Sequence, residues 1–144
     1  MAELLELDVA LGRFGKVLLD TCVLIDEFKH STGRLQQINM GQRATSSIAV
    51  WEFLHGTKGA LLGAKERDDR RTWLTEQGID SLSLGQAGSA SFDALLETEG
   101  PTSVADAVLA AECLGRKIPI VTRHVRDFTA THGLFYIAWP VGGR

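Results

Sequence analysis

The sequence lacks the features of several large classes of protein. Only two residues are cysteine, Cys22 and Cys113, and their wide separation fits neither a disulfide framework nor a zinc site. This scarcity indicates a reducing compartment, so we expect the protein in the cytoplasm. No apolar run approaches the ~20 residues that a membrane-spanning helix needs, and the acidic N-terminus does not resemble a signal peptide. We expect a soluble, unprocessed protein with no membrane contact.

There is also no excess of positive charge. Fifteen Lys and Arg residues face eighteen Asp and Glu residues, which gives a formal net charge of −3. A chain with this balance has no general field that attracts nucleic acid, so any such contact must be local. Its length and its 44% hydrophobic content predict one compact domain over residues 1–144, because no change in composition marks a second.

Apolar segments of strand length alternate with segments of helical periodicity along most of the chain. This alternation predicts an α/β fold with a mostly parallel central sheet flanked by helices. Residues 1–15 lack either pattern, so we predict an irregular N-terminal extension before a core of residues 16–139. The predicted strands are 16–20, 43–47, 79–84, 117–122 and 134–140, and the predicted helices are 22–29, 34–40, 48–60, 64–77, 86–98 and 104–114.

Four carboxylates stand where a carboxylate is poorly solvated. They lie at predicted strand ends or within apolar helices, and they are Asp20, Glu52, Asp106 and Asp127. Moving a charge from water into such places costs several kcal/mol unless a cation compensates it, so the four together suggest a shared cation. Asp20 and residues 123–127 both follow predicted strands, and sites in parallel sheets form outside the carboxyl ends of strands.

Most of these acids also have a simpler interpretation. Asp20 can be the N-cap of the following helix. Glu52 can face solvent, from a helix whose core candidates include Trp51, and Asp127 can be a plain loop acid. Asp106 is harder to explain structurally, because its neighbours are mostly Ala and Val and the helix dipole stabilises a first-turn acid by only ~0.3–1 kcal/mol.

The four acids supply hard oxygen ligands without paired Cys or His ligands, which suits Mg²⁺ or Mn²⁺ better than zinc. Carboxylates a few ångströms apart repel one another, and a divalent cation would keep them ionised at neutral pH. We therefore predict a magnesium or manganese centre that activates water toward a phosphate.

Four sequence blocks, in this order, resemble those of the PIN-domain ribonucleases, and specifically the VapC toxins of bacterial toxin–antitoxin pairs. The blocks are VLLDTCVLID, SSIAVWEFLHG, PTSVADAVLAAECLG and IPIVTRHVRDF, within about residues 16–139. By this resemblance Asp20, Glu52, Asp106 and Asp127 fall on the four family acids in chain order. Thr21 falls on the Ser or Thr that follows the first acid.

The resemblance implies a PIN-like α/β/α sandwich and a Mg- or Mn-dependent endoribonuclease that hydrolyses phosphodiester bonds of structured RNA, of the tRNA or rRNA class. It also implies a homodimer that is silenced by a cognate VapB-type antitoxin, whose tail enters the active-site groove. Catalysis and metal binding would fall to the four acids, and Thr21, Thr122 and His124 would support them from the surrounding shell.

Two residues depart from the family pattern. Cys22 stands where many members carry Asn, and His124 stands where the last block usually has Asn. A second hypothesis is therefore a catalytically degenerate PIN domain that binds RNA or an antitoxin.

Two sets of arginines bear on RNA binding. Arg123 and Arg126, beside the fourth acid, are candidates for phosphate contacts, and the alternative is that they are solvated arginines at a strand end. Arg67, Arg70 and Arg71 share one side of the charged helix, but acids interleave them, which predicts an ion-paired solvent face.

Overall fold

The computed structural model describes residues 1–57, 60–97, 101 and 103–140. The strands within these ranges are β1 (Glu3–Leu4), β2 (Val17–Leu19), β3 (Arg43–Ser46), β4 (Gly56–Thr57), β5 (Ala60–Leu61), β6 (Asp80–Leu82), β7 (Ile120–Thr122) and β8 (Phe135–Ala138). The α-helices are α1 (Leu7–Arg13), α2 (Thr21–His30), α3 (Ser47–His55), α4 (Ala64–Glu76), α5 (Gln86–Leu95) and α6 (Val104–Arg116). Short 3₁₀ turns lie at Arg34–Gln37, Met40–Gln42 and Val125–Asp127.

Six strands form one sheet in the order β1-β8-β7-β2-β3-β6, and every neighbouring pair is parallel. Parallel neighbours need long crossover connections, which the helices supply. The predicted α/β class, with a PIN-like α/β/α sandwich, is confirmed, and this sheet is entirely parallel. β4 and β5 pair separately as a small antiparallel ladder. None of the helices in the described ranges has the length and apolar character needed to cross a bilayer.

The sheet centre positions the predicted site. β2 and β7 are buried along their whole length, as expected for central parallel strands that read as continuous apolar runs. Leu19 is in register with Val121. The next residues, Asp20 and Thr122, therefore lie side by side at the carboxyl edge. The chain leaves β2 toward β3 and later returns to its other side through β7, so this edge is a topological switch point, where crevices form.

The prediction that the first 15 residues are irregular is wrong. β1 pairs with β8, and α1 buries Leu7 and Ala10 against the core. A two-residue strand and a seven-residue helix are too short to give a clear periodicity, so the sequence pattern does not reveal them.

The helix predicted over residues 48–60 is shorter than expected. It ends at His55 because Gly56 takes φ +107°, outside the helical region, and residues 58–59 lie outside the described ranges. Phe53 is buried, but Trp51 is 59% exposed, so the assignment of Trp51 to the core is wrong. The helix predicted over 34–40 is replaced by 3₁₀ turns.

The predicted solvent face of α4 is correct only in part. Arg71 pairs with Asp68 as expected, but Arg70 is only 4% exposed. Its guanidinium donates to the carbonyl oxygen of Phe53 at 2.8 Å and lies over the Phe53 ring. The Arg70 guanidinium therefore does not face solvent, because it donates a hydrogen bond to a carbonyl of α3. Ser103 is the N-cap of α6, where its side chain accepts from the backbone N–H of Asp106, and residues 98–100 and 102 lie outside the described ranges.

Candidate active site

The four predicted acids come from four different segments that meet at the carboxyl edge of the sheet. Asp20 follows β2, and Asp127 lies in the 3₁₀ turn after β7. Glu52 is on α3, which starts where β3 ends. Asp106 is in the first turn of α6, whose N-terminus points to this edge because the helix runs back toward the start of β7. All four line one open cleft of about 470 Å³.

Asp20 is the most tightly held of these acids, at 6% exposure. Its Oδ1 accepts from the backbone N–H of Thr21 at 2.7 Å, so its role as the N-cap of α2 is confirmed. Its Oδ2 accepts from Thr122 Oγ1, also at 2.7 Å. These bonds fix the orientation of the carboxylate.

Glu52 is positioned by the residue next to Asp20. Thr21 Oγ1 donates to Glu52 Oε1 at 2.7 Å, which ties α3 to the start of α2. Glu52 is half-buried and lines the cleft. The alternative of a purely solvent-facing glutamate does not describe this placement.

The surroundings of Asp106 disfavour its charged form. Burial raises its pKa above the ordinary value, and the charges of Asp20, Asp127 and Glu52 raise it further, against a hydrogen bond from Ser103 that lowers it. None of the described residues that line the cleft is Lys or Arg, so a hard cation would relieve the repulsion among these carboxylates.

The donor chemistry therefore fits Mg²⁺ or Mn²⁺, although the described residues contain no group of three or more His, Cys, Asp or Glu side chains already spaced to hold a metal ion.

The other predicted site residues surround the acids. Thr122 is fully buried, and besides its bond to Asp20 its Oγ1 accepts from the backbone N–H of His124 at 3.0 Å. His124 lines the cleft. Arg123 does not: its guanidinium is paired with Asp26 at 3.0 Å. Arg126 is exposed and also does not line the cleft, so the RNA contacts of both arginines stay predictions.

Cys22, the departure from the family pattern, lies within the shell around Asp20. Its Sγ donates to Asp20 Oδ2 at 3.5 Å and accepts from the backbone N–H of Arg123 at 3.4 Å. Burial, and secondarily the Asp20 charge, raises the Cys22 pKa to about 11. It is therefore a neutral thiol at pH 7 and a poor nucleophile.

Three further cleft residues were not predicted. Ile25 stands one helical turn after Thr21, Gly56 stands one turn after Glu52, and Trp51 directly precedes Glu52. The i, i+4 spacing could have identified Ile25 and Gly56, because such residues share a helix face. The exposure of Trp51 had no sequence signal.

Comparison with known proteins agrees with the fold. A family model described as "PIN domain" matches residues 17–131. Among solved structures, a chain of DNA-bound VapBC from Salmonella typhimurium is 19% identical with a TM-score of 0.73, covering 88% of this chain and 99% of that one. A chain of VapBC-1 from nontypeable Haemophilus influenzae is 20% identical with a TM-score of 0.69, covering 85% and 97%.

A third structure, a toxin–antitoxin complex from Klebsiella pneumoniae, contains a chain that is 23% identical with a TM-score of 0.62, covering 83% of this chain and 95% of that one. No curated protein sequence matches significantly. The structural likenesses show a shared fold, and the family match spans most of the sequence. This chain belongs to the PIN domain family.

Proposed function

We propose that this protein is a Mg- or Mn-dependent endoribonuclease that acts as the toxin of a toxin–antitoxin pair. The observation that carries the proposal is the set of four carboxylates lining one cleft at the switch point of a PIN domain, three of which raise the pKa of the fourth. The similarity to chains of VapBC complexes supports the toxin role.

In this proposal Asp20, Glu52, Asp106 and Asp127 hold the cation. A bound Mg²⁺ or Mn²⁺ supplies a more acidic water as nucleophile and neutralises charge that develops on the phosphate. Thr122 fixes the orientation of Asp20 through a buried hydrogen bond. The RNA would bind in the open cleft that these carboxylates line.

The partners follow from the same family. We propose a cognate VapB-type antitoxin, an RNA substrate of the tRNA or rRNA class, a homodimeric state and a cytoplasmic location, with residues 1–144 as one domain. Chains of similar fold come from complexes named as VapBC or toxin–antitoxin assemblies, which supports the antitoxin. If the proposal is correct, expression of the chain alone arrests growth, and co-expression with its partner relieves the arrest.

The direct test is cleavage of RNA by the purified chain with Mn²⁺. We expect cleavage that EDTA abolishes and that Asp20→Asn or Asp106→Asn lowers by at least roughly 100-fold, because each removes a charge that the cation needs. Asp93→Asn, an exposed acid on α5, is the matched control and should cleave at the wild-type rate. Cleavage that survives chelation or either site substitution contradicts the proposal.

A second candidate function is a degenerate PIN domain that binds RNA or an antitoxin without cleavage. The observation in its favour is that the Cys22 thiol donates to Asp20 Oδ2, where a cation would need a free oxygen. Stabilisation by Mn²⁺, described below, separates the two candidates.

A further inference from the structure

The exposed ring of Trp51 separates the carboxylate cleft from a second groove. Trp51 lines both, and the second groove, of about 360 Å³, is also lined by Leu54, His55, Leu61, Arg67 and Arg71. The indole stacks on the His55 ring, with centroids 4.3 Å apart and planes 21° apart. The stack holds a large flat ring where the two grooves adjoin.

The exposure of Trp51 distinguishes it from the other tryptophans of the chain. Trp139 is 4% exposed, and Trp73 packs against the rings of Phe28 and Phe53. A 59% exposed indole, ordered by a stacked neighbour but without a core to fill, is typical of a binding surface.

The charges around the second groove favour an anionic partner. Arg67 donates to the carbonyl oxygen of Leu62, which fixes this side chain along the groove. Arg71 is exposed, and its ion pair with the exposed Asp68 is long at 3.2 Å, so it can exchange this partner for a phosphate at little cost. The carboxylates on the other side of Trp51 repel phosphate, whereas these cations attract it.

We propose that an unpaired base of the RNA stacks on Trp51 while an adjoining phosphate contacts Arg71. The inference rests on the proposed function, because it assigns the substrate contacts next to that cleft. Stacking of bases on exposed aromatic rings is tolerant of sequence and requires bases that are not already paired. The RNA strand would thus pass from the cationic groove, over the indole, into the carboxylate cleft.

The test measures binding of a labelled single-stranded RNA of about ten nucleotides to the full chain carrying Asp106→Asn, with Mn²⁺, by fluorescence anisotropy. We expect Trp51→Ala to weaken binding by at least roughly tenfold, Trp51→Phe to restore most of it, and base stacking to quench Trp51 emission. Trp51→Ala should leave the salt dependence unchanged, whereas Arg71→Ala should lower the slope of log K against log salt by about 0.7. The controls Met40→Ala and Lys29→Ala change exposed residues outside both grooves and should bind as the parent does.

Three results of the binding measurements overturn the inference. These are unchanged RNA affinity in Trp51→Ala, a loss that Trp51→Phe does not restore, and a loss of affinity for a co-expressed protein partner without a loss for RNA. Failure of the proposed function gives a different pattern. If RNA binding depends on Trp51 and Arg71 as expected but the wild-type chain shows no metal-dependent cleavage, the nuclease proposal is wrong and the stacking site stands. If the wild-type chain cleaves RNA and Trp51→Ala leaves the KM unchanged, the stacking site is wrong and the nuclease proposal stands.

Discussion

Thr122 donates a hydrogen bond to Asp20 at 2.7 Å across 102 residues of sequence, in a fully buried position. Asp20 directly follows β2, and Thr122 ends the neighbouring strand β7 at the topological switch point. Because Thr122 also accepts from the His124 backbone, one hydroxyl links the first acid to the segment that carries the fourth.

Thr122→Val should therefore impair both stability and cleavage. The substitution keeps the shape of the side chain but leaves a buried carboxylate oxygen with one donor fewer, which costs about 1–3 kcal/mol of the free energy of unfolding. Urea denaturation measures the loss, and initial rates with RNA measure the effect on activity. Thr75→Val, an exposed threonine on α4, is the control and should change stability by less than about 0.5 kcal/mol. Wild-type stability in Thr122→Val would show that the bond contributes nothing.

Asp106→Asn should stabilise the metal-free protein at neutral pH while it abolishes cleavage. Burial and the neighbouring carboxylates raise the Asp106 pKa in the folded state, so the folded chain holds this proton more tightly than the unfolded chain. The free energy of unfolding then falls as pH rises from the unfolded pKa through the folded pKa, and it stays lowered at pH 7.

Melting temperatures in EDTA check this sign. The Asn variant should melt above the wild type at pH 7, and the difference should disappear as pH falls below the ordinary Asp value of about 3.9, where both side chains are neutral. Asp93→Asn, which is exposed, should show no such pH-dependent gain. A lower melting temperature for Asp106→Asn at pH 7 would contradict the account of a strained carboxylate.

Mn²⁺ should raise the melting temperature of the wild-type chain. A cation at 100 times its dissociation constant adds about 2.7 kcal/mol to the free energy of unfolding. For a chain of this size that corresponds to roughly 5–10 °C. Asp20→Asn should lose most of the shift, and Asp93→Asn should keep it. No shift in the wild type would favour the degenerate PIN domain over the nuclease.

Much of the fold and of the candidate site could be predicted because the sequence patterns that indicate them are local. β2 is three apolar residues followed by Asp20, and α6 is an Ala-rich helix interrupted by Asp106. In a parallel sheet such strand ends share one edge, so the position of each acid along its own element was enough to group them.

What could not be predicted depends on contacts between distant elements. Arg70 and Arg71 are adjacent on the same charged helix, but only the Arg70 guanidinium reaches the Phe53 carbonyl of α3. Trp51 and Phe53 have the same apolar character, but the helix turns one to the cleft and the other to the core. Charge pattern and hydrophobicity do not distinguish these pairs, because the distinction arises from packing.

Arg70→Ala should be strongly destabilising, although a charged helix face suggests otherwise. The substitution removes the bond to Phe53, the packing over the Phe28 and Phe53 rings and most of the buried side-chain volume. We expect a loss of about 2–4 kcal/mol in the free energy of unfolding. Lys65→Ala, on the exposed side of α4, should leave the free energy of unfolding close to that of the wild type. Equal effects in the two variants would contradict the buried role of Arg70.

The helix of the N-terminal segment carries one buried and one exposed aliphatic residue, which form a matched pair for substitution. On α1, Leu7 is 5% exposed and belongs to the core, whereas Val9 is 52% exposed two residues later. Leu7→Ala should cost about 2–5 kcal/mol, since it removes buried methyl groups and leaves a cavity. Val9→Ala should cost less than about 0.5 kcal/mol.

Urea denaturation of the two variants measures this difference, and cleavage assays below the unfolding transition complete the test. Leu7 is absent from the residues that line the carboxylate cleft, so folded Leu7→Ala should retain the wild-type metal-dependent rate. If both variants have wild-type stability, α1 is a loosely attached extension and does not contribute to the core. If only Leu7→Ala is destabilised, α1 stabilises the fold by packing Leu7 into the core.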